Sequence, residues 1–234
     1  MVYPFYLDPY FLMLVVPALV LGMIAQGIVT STYRRYCQVR TASGITGGEA
    51  AHRLLSMRGL AQVRIERTGG RLSDHYDPRQ EVLGLSEETI AGASVAAVGV
   101  AAHEAGHAVQ HAEGYLPNRI RSALVPVANI GSFAGPYIAI AGILFGFGIL
   151  VNVGILLYAA AVVFYLVTLP VEFDASRRAI AMLGENAILT EDELAGARRV
   201  LRAAAFTYVA AALAALASLA RLVLLARSGR GRRS

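Results

Sequence analysis

The segment His103-Glu104-Ala105-Gly106-His107 lies near the middle of the chain, directly after the uncharged residues 89–102. Its spacing is H-E-x-x-H. Residues four apart on an α-helix lie on one face about one turn apart, so His103 and His107 can reach the same tetrahedral zinc ion. Glu104 then lies beside the open coordination position, where a carboxylate can take a proton from water. The segment predicts a helix that carries a metallohydrolase site.

The residues before the motif favour a helical setting. Ser86-Glu87-Glu88 supplies a hydroxyl N-cap followed by acids in the first turn, which predicts that the helix starts there. His111 continues the four-residue spacing, but at about 1.5 Å rise per residue it stands roughly 12 Å along the axis from His103. We therefore expect His111 behind the ligands, on the substrate side or at the polar end of the helix, and not among the ligands.

The composition indicates a membrane protein. Hydrophobic residues make up 56% of the 234 residues, charged residues 16%, and the mean hydropathy is +0.54. Residues 11–29 are uncharged and long enough to span a bilayer, and we interpret them as a retained anchor. Residues 123–171 fit two spans with a turn at Asn152-Val153-Gly154, and residues 203–220 are a shorter candidate. Residues 89–102 are too few to cross and should form a buried helix.

Residues 30–85 are the stretch best suited to a soluble fold. Thr46-Gly47-Gly48-Glu49 is a capping-box pattern that predicts a helix from residue 47. Alternating residues at 63–66, and further runs at 71–76 and 81–85, predict three short strands. A small sheet thus precedes the motif helix, and one of its edge strands can pair with an extended peptide.

Charge and residue usage exclude several functional classes. All 21 basic residues are arginine, which removes a Walker lysine, a Schiff-base lysine and a Ser-Lys dyad. The net charge of +5 is spread over loops beside the apolar runs, so we expect no nucleic-acid partner. Cys37 is the single cysteine, which excludes an intramolecular disulfide and gives a thiol protease site little support. Residues 227–233 are expected to form a disordered basic tail near lipid headgroups.

A zinc hydrolase needs a third protein ligand. The candidates are the two acids of Pro170-Val171-Glu172-Phe173-Asp174-Ala175-Ser176, which follow the apolar residues 123–171. If this segment is helical, Glu172 and Ser176 share a face and Asp174 points away. The acids could instead only mark the membrane boundary beside the two arginines that follow. Because two histidines leave a zinc ion short of a ligand, we favour Glu172 over Asp174.

Three blocks of the sequence closely resemble the membrane neutral zinc metallopeptidases of the YugP-like family. The blocks are GRLSDHYDP at residues 70–78, AHEAGHAVQH at 102–111 and TLPVEFDAS at 168–176. Their order agrees as well, and the likeness continues to TYV at 207–209. The resemblance implies zinc-dependent peptidase activity in a multi-pass bacterial membrane protein, with His103 and His107 as ligands and Glu104 as the catalytic carboxylate.

A more distant resemblance to the HtpX-type and CAAX prenyl gluzincin endopeptidases implies Glu172 as the third ligand. Those enzymes place an aspartate four residues after the ligand glutamate, where it supports a histidine ligand. Ser176 occupies that position here. Either Ser176 gives a weaker hydrogen bond, or Asp174 or Asp74 supports the histidine instead.

These observations predict an α-rich multi-pass membrane protein with a small α+β zincin-like metal domain. The predicted function is that of a zinc-dependent endopeptidase. We expect Zn²⁺ on His103, His107 and Glu172, with Glu104 as the general base that takes a proton from water and returns it to the leaving amine.

The oxyanion donor is the least determined part of the predicted site. We favour His75 as this catalytic residue because the neighbouring carboxylate of Asp74 could keep its ring protonated. A turn residue in a hairpin is the alternative role for His75. The other candidates for the donor are Tyr76, His111 and Tyr208.

Three other functions fit parts of the pattern. A transporter or channel could carry histidine and glutamate in apolar helices, but the acids do not follow several spans and no inverted repeat is visible. A structural zinc site predicts a fourth protein ligand, whereas a hydrolase keeps that position for water. An intramembrane protease usually has an aspartate-containing second motif in a later span, which is missing here.

These patterns divide the chain into six segments. They are an N-terminal membrane anchor (1–30), the zincin-like domain (31–121), two transmembrane helices (122–171), the third-ligand helical segment (172–202), a C-terminal membrane helix (203–226) and a basic tail (227–234). Arginines beside the apolar runs favour a multi-pass protein of the cell membrane with its metal site on the cytoplasmic side. The expected partners are a protein or peptide substrate and the lipid bilayer, and the sequence leaves the oligomeric state open.

Overall fold

The computed structural model describes residues 8–70 and 73–230, and the side chains of all of these except residues 229 and 230. A π-helical turn, Phe11–Val15, leads into the first helix. The elements follow in the order α1 (Val16–Cys37), α2 (Gly47–Met57), β1 (Arg64–Thr68), β2 (His75–Asp77), β3 (Val82–Ser86), α3 (Glu87–Ile90), α4 (Val95–Ala112), α5 (Leu116–Phe145), α6 (Gly148–Glu185) and α7 (Glu191–Arg230).

The three strands form one mixed sheet in the order β1-β3-β2. β1 runs parallel to β3, with Ile65 opposite Leu83, and β2 runs antiparallel to β3, with Tyr76 opposite Leu83. Every residue of β3 is buried, as suits the central strand, and β2 is left as an edge strand. Strands near all three predicted positions are confirmed, but β2 begins only at His75, so residues 73 and 74 of the predicted strand 71–76 are not part of it. Residues 71 and 72 lie outside the described residues.

Thr46 caps α2 as the sequence predicted. Its hydroxyl accepts a hydrogen bond from the Glu49 backbone N–H at 3.2 Å, and the Glu49 carboxylate accepts one from the Thr46 N–H at 2.9 Å. The Glu49 N–H has no acceptor within the helix, so the cap supplies one. α2 then buries Leu54 and Leu55 in a core that also contains the apolar side chains of α4.

The motif helix α4 begins later than the sequence predicted. Ser94 is its N-cap and accepts a hydrogen bond from a first-turn N–H at 3.2 Å. A helix does begin after Ser86, but it is the separate single turn α3, so the predicted start of the motif helix is wrong. The Ser86 hydroxyl caps no backbone N–H and lies within hydrogen-bonding distance of Asp74 and Thr89. Between the two helices, the carbonyls of Gly92 and Ala93 accept hydrogen bonds from the chain around the start of α2. Tertiary partners therefore replace helical ones at this break.

Four helices among the described residues are long and apolar enough to cross a membrane. They are Phe11–Cys37, Leu116–Phe145, Gly148–Glu185 and Glu191–Ser228, and they contain the apolar runs identified in the sequence. α4 is not one of them. Most of its side chains are buried within the protein, as predicted for the uncharged residues 89–102, which are too few to cross a bilayer.

The turn within residues 123–171 lies at Gly146, whose φ of +79° favours glycine. The predicted turn at Asn152-Val153-Gly154 is wrong, because α6 runs through these residues. A Cβ on Gly154 would lie 2.3 Å from the backbone nitrogen of Ala139 in α5. Glycine at this position therefore allows the backbones of α5 and α6 to approach closely, a contact typical of helices packed in membranes.

The chain divides into two compact units. The helical unit comprises the described residues 8–26, 120–169 and 207–230, and it contains an ion pair between Asp8 and Arg221 with an N–O distance of 2.7 Å. The mixed unit comprises Gly27–Arg119 and Pro170–Phe206. Its core joins apolar side chains of α2, β3, α4 and the adjoining parts of α6 and α7. The motif histidines and both candidate acids of α6 belong to the mixed unit.

The last helix extends further than predicted. α7 continues to Arg230, so the prediction of a disordered tail is wrong for residues 227–230. Alanine, leucine and arginine, which are good helix formers, fill most of the preceding turns and carry the helix onward. Residues 231–234 lie outside the described residues.

Candidate metal site

His103 and His107 lie one helical turn apart on α4. Their rings meet edge to face, with centroids 4.7 Å apart. The helix forms locally because Ser94 caps it and because alanine and valine dominate its sequence. The side chain of His103 is 14% exposed to solvent and that of His107 is 12% exposed. Both imidazoles are therefore largely shielded from water but still border an opening.

Glu172 reaches both histidines from α6. Its Oε2 atom lies 3.2 Å from His103 Nε2 and 3.6 Å from His107 Nε2. One ligand atom from each residue lies within 4.8 Å of the other two. Two atoms bound at about 2.0–2.1 Å to one tetrahedral zinc ion stand about 3.3–3.4 Å apart, which is close to both measured separations. The three residues can thus hold one ion, although 69 positions separate His103 from Glu172.

Gly106 makes this approach possible. A Cβ on Gly106 would lie 2.7 Å from the backbone carbonyl oxygen of Ala175 in α6, closer than real Cβ atoms come to such a neighbour. The missing side chain lets α6 lie directly against the motif helix. Glu172 is held one turn before Ala175 on α6, so this contact sets the distance between the carboxylate and the two imidazoles.

Ser176 supports His103. Its Oγ lies 3.2 Å from His103 Nδ1. If His103 binds a metal through Nε2, its proton lies on Nδ1 and is donated to the Ser176 hydroxyl. Of the three supporting residues considered from the sequence, Ser176 is the one that contacts His103, whereas Asp74 accepts hydrogen bonds from the backbone and side chain of Ser86.

Gln110 supports His107, and sequence reasoning missed it. Its Oε1 lies 3.1 Å from His107 Nδ1, while its Nε2 donates to the Val171 carbonyl at 2.8 Å and to Asp174 Oδ2 at 2.9 Å. The side chain is fully buried. A buried amide with these partners fixes the His107 ring and ties α4 to α6. The available signal was a glutamine three residues after a ligand histidine in an otherwise apolar helix.

Asp174 belongs to a network of charges beside the three-residue group. Its carboxylate contacts Arg177 and lies 2.5 Å from Arg178 Nε, and Arg178 in turn lies 2.5 Å from Glu113 Oε2. In the part of the chain that the structure describes, the convergent atoms that could hold a metal ion belong to His103, His107 and Glu172. Asp174 therefore acts on the site through Gln110.

We expect Gln110→Leu to weaken zinc binding by about 10–100-fold, the usual effect of losing a partner that orients a ligand histidine. Leucine keeps much of the buried volume but offers no acceptor to His107 Nδ1. Zinc affinity measured against a competing chelator checks this. Gln62→Leu, at an exposed position, is the matched control and should bind zinc like the wild type. Equal zinc affinity of Gln110→Leu and the control would contradict the supporting role.

The carboxylates around His107 favour the protonated form of its ring. Burial lowers the pKa of His107, but the hydrogen bond to Glu172 and the charges of Glu104 and Glu172 outweigh burial and leave the pKa above its ordinary value. Glu104, which is 9% exposed, follows His103 directly on α4. The Glu104 carboxylate is thus close enough to influence the imidazole of His107 without belonging to the convergent three-residue group.

The four candidate oxyanion donors lie in different surroundings. Tyr76 Oη lies 3.0 Å from Nδ1 of His111, and burial together with the charges of Glu81 and Asp77 raises the pKa of Tyr76 to about 12, so the phenol keeps its proton. His75 is exposed and donates from Nδ1 to the Ser73 carbonyl at 2.8 Å.

The contacts described for His75 do not include the three-residue group, and none is described between Tyr208 and that group. The ring of His75 lies against Gly84, where a Cβ would come within 2.6 Å of it. The Asp74 carboxylate, expected to keep His75 protonated, is bound to Ser86 instead. Tyr208 belongs to the helical unit. The catalytic role of His75 stays a prediction.

The chain matches known proteins over nearly its whole length. The model of a family described as "Putative neutral zinc metallopeptidase" matches residues 11–227. The "Putative membrane protease YugP" of Bacillus subtilis (strain 168) is 44% identical over 220 residues, which cover 94% of this chain and 98% of the relative. No solved structure matches the chain. With the family model covering both motif histidines and Glu172, the chain belongs to the putative neutral zinc metallopeptidase family.

Proposed function

We propose that the protein is a zinc-dependent endopeptidase of the gluzincin type, held in the cell membrane by several helices. The observation that carries this proposal is the convergence of His103, His107 and Glu172, whose ligand atoms lie within 4.8 Å of one another. Two imidazole nitrogens and one carboxylate oxygen are the donor set of catalytic zinc sites with a two-histidine, one-glutamate composition.

A catalytic ion suits this donor set better than a structural one. A structural zinc ion is closed by four protein ligands, whereas a catalytic ion keeps one position open. Within residues 8–70 and 73–230, the convergent group contributes three ligands. The nearest further acid of α6, Asp174, is already engaged by Gln110 and two arginines. This arrangement supports an open fourth position.

In the proposed mechanism His103, His107 and Glu172 would hold the zinc ion, which when bound would supply a Lewis acid to polarise the scissile carbonyl and acidify water. Glu104 accepts a proton from the attacking water and returns it to the leaving amine. Ser176 and Gln110 accept hydrogen bonds from Nδ1 of the two imidazoles, which fixes the ring orientations and leaves Nε2 of each ring without a proton. His75 is the proposed oxyanion donor, and the phenol of Tyr76, which keeps its proton, is the alternative.

The proposed substrate is an extended stretch of polypeptide. β2 is an edge strand, and its Tyr76 side chain contacts His111, one turn beyond His107 on α4. An edge strand can hold a peptide straight through backbone hydrogen bonds, which requires the substrate to be locally unfolded. We infer that folded proteins are spared and that flexible segments close to the membrane are cut.

The proposed orientation places the metal site on the cytoplasmic side. Arginines 34, 35 and 40 follow the first apolar run, and further arginines flank residues 123–171. Positive residues beside membrane spans are enriched in the cytoplasm. The arginines at the end of α7 oppose this orientation, but they are fewer.

Purified protein in detergent tests the proposed function. We expect an equimolar amount of zinc and cleavage of an unfolded casein substrate. Removing the metal with a chelator should abolish cleavage, and adding zinc back should restore it. Tightly bound zinc without proteolysis would favour the structural-zinc alternative, and proteolysis that survives complete metal removal would exclude the zinc mechanism.

A further inference from the structure

A cleft of about 530 Å³ lies between α6 and α7 in the mixed unit. Its walls are largely apolar and include Phe173, Ile180, Leu194 and Leu201. The volume falls in the range of pockets that bind small molecules, and such pockets combine apolar walls with a few polar groups. Ser176, which contacts His103, also lines the cleft. The proposed peptidase mechanism assigns no ligand to the space between its walls.

The polar groups of the cleft are mainly arginines. Arg198 and Arg202 stand four residues apart on α7, so their side chains leave the same face of the helix. Both are exposed, and across residues 8–70 and 73–230 no ion pair engages either guanidinium. Arg177 also lines the cleft but already contacts Asp174. The cleft therefore offers two uncompensated cations at neighbouring positions.

The single acid of the cleft lies away from these cations. Glu191 precedes Arg198 by seven residues on α7, which is about 10 Å along the helix axis. It lies towards the loop between α6 and α7, at the opposite end from Phe173 and Ala205. A negatively charged ligand can thus bind at the arginines without meeting a carboxylate.

The arginines lie at the boundary between the polar part of the cleft and the long apolar runs of α6 and α7. Arg202 directly precedes the uncharged residues 203–220. Glu172 is the first charged residue after the uncharged residues 123–171, and Phe173 follows it. The apolar end of the cleft, with Phe173 and Ala205, is therefore the end nearest to the apolar runs of both helices. Arginines at this boundary bind lipid phosphates, and apolar walls below them suit an acyl chain.

We propose that this cleft binds one anionic phospholipid of the surrounding bilayer, with its phosphate on Arg198 and Arg202 and the start of an acyl chain along Phe173 and Ala205. Guanidinium groups can bind phosphate oxygens in pairs, which gives geometry as well as charge. An acidic peptide would match the arginines, but it would not use the apolar end that faces the membrane-spanning runs.

Native mass spectrometry of the full chain in detergent tests the proposal, with equal amounts of phosphatidylglycerol and phosphatidylcholine added. Wild-type protein should retain phosphatidylglycerol in preference. The double variant Arg198→Gln with Arg202→Gln should lower its affinity for phosphatidylglycerol about thirtyfold, the loss expected when two arginine contacts with a membrane phosphate are removed. The matched control is Arg53→Gln with Arg79→Gln, which removes the same charge from exposed positions outside the cleft and should bind like the wild type.

A second variant keeps the net charge. Ala181→Trp places a large ring in the cleft wall and should also displace phosphatidylglycerol, so the proposal can be judged even if the arginine variant fails to fold. Equal retention of the two lipids, or equal loss from the cleft variants and the control, would overturn the proposal. Displacement of the lipid by an equal concentration of inorganic phosphate would show a free-phosphate site and would overturn it as well.

Discussion

Glu104→Gln is expected to keep its zinc and to lose peptidase activity by a factor on the order of 10²–10⁴. Glutamine has nearly the shape of glutamate but cannot accept the proton of the attacking water. The ligand set is untouched, because Glu104 lies outside the convergent group of His103, His107 and Glu172. The largest single loss of turnover without loss of metal should therefore occur at this position.

The measurement pairs metal analysis with turnover of an unfolded substrate. Glu185→Gln is the matched control, because it makes the same substitution at a glutamate whose side chain is 64% exposed and which lies outside the convergent group. This control should keep the zinc content and the turnover of the wild type. Turnover by Glu104→Gln at a rate near that of the control would remove Glu104 from the mechanism. Loss of zinc from Glu104→Gln would instead mean that Glu104 is a ligand.

Glu172→Ala should lose the metal itself. The carboxylate supplies one of three protein ligands, so its removal should weaken zinc binding by more than the roughly 100-fold that marks the loss of an outer partner. In the structure, Glu172 Oε2 lies 3.2 Å from His103 Nε2 and 3.6 Å from His107 Nε2. No other acid of α6 belongs to the convergent group. Activity should disappear together with the metal.

Asp174→Ala is the comparison that makes this result specific. Asp174 acts on the site through Gln110, so its loss should reduce zinc affinity by no more than the effect expected for Gln110→Leu. Zinc content of the two purified variants decides between the acids. If Asp174→Ala comes without zinc while Glu172→Ala retains it, the third ligand has been assigned to the wrong residue.

Local sequence patterns predicted the helices well where neighbouring residues determine their bounds. The capping box at Thr46 set the start of α2, and the uncharged runs gave the four long apolar helices. Two boundaries were wrong because tertiary contacts determine them. Gly154 resembles a turn residue in sequence but serves helix packing, and Ser86 resembles a cap but donates to Asp74.

The three residues that converge in the candidate site could be predicted from the sequence, and the residues around them less so. H-E-x-x-H spacing follows from one turn of helix, and Glu172 was preferred on its helical face. Gln110 was missed because its role depends on α6 lying against α4, which local periodicity does not encode. The same contact explains Gly106, where a side chain would collide with the backbone at Ala175.

The most direct test of the central claim is anomalous diffraction at the zinc absorption edge from crystals of the detergent-solubilised protein. We expect one peak at about 2.0–2.2 Å from His103 Nε2, His107 Nε2 and a Glu172 carboxylate oxygen, with a fourth ligand that does not come from the protein. A peak elsewhere in the chain, or a fourth protein ligand closing the coordination sphere, would contradict the account of a catalytic zinc site.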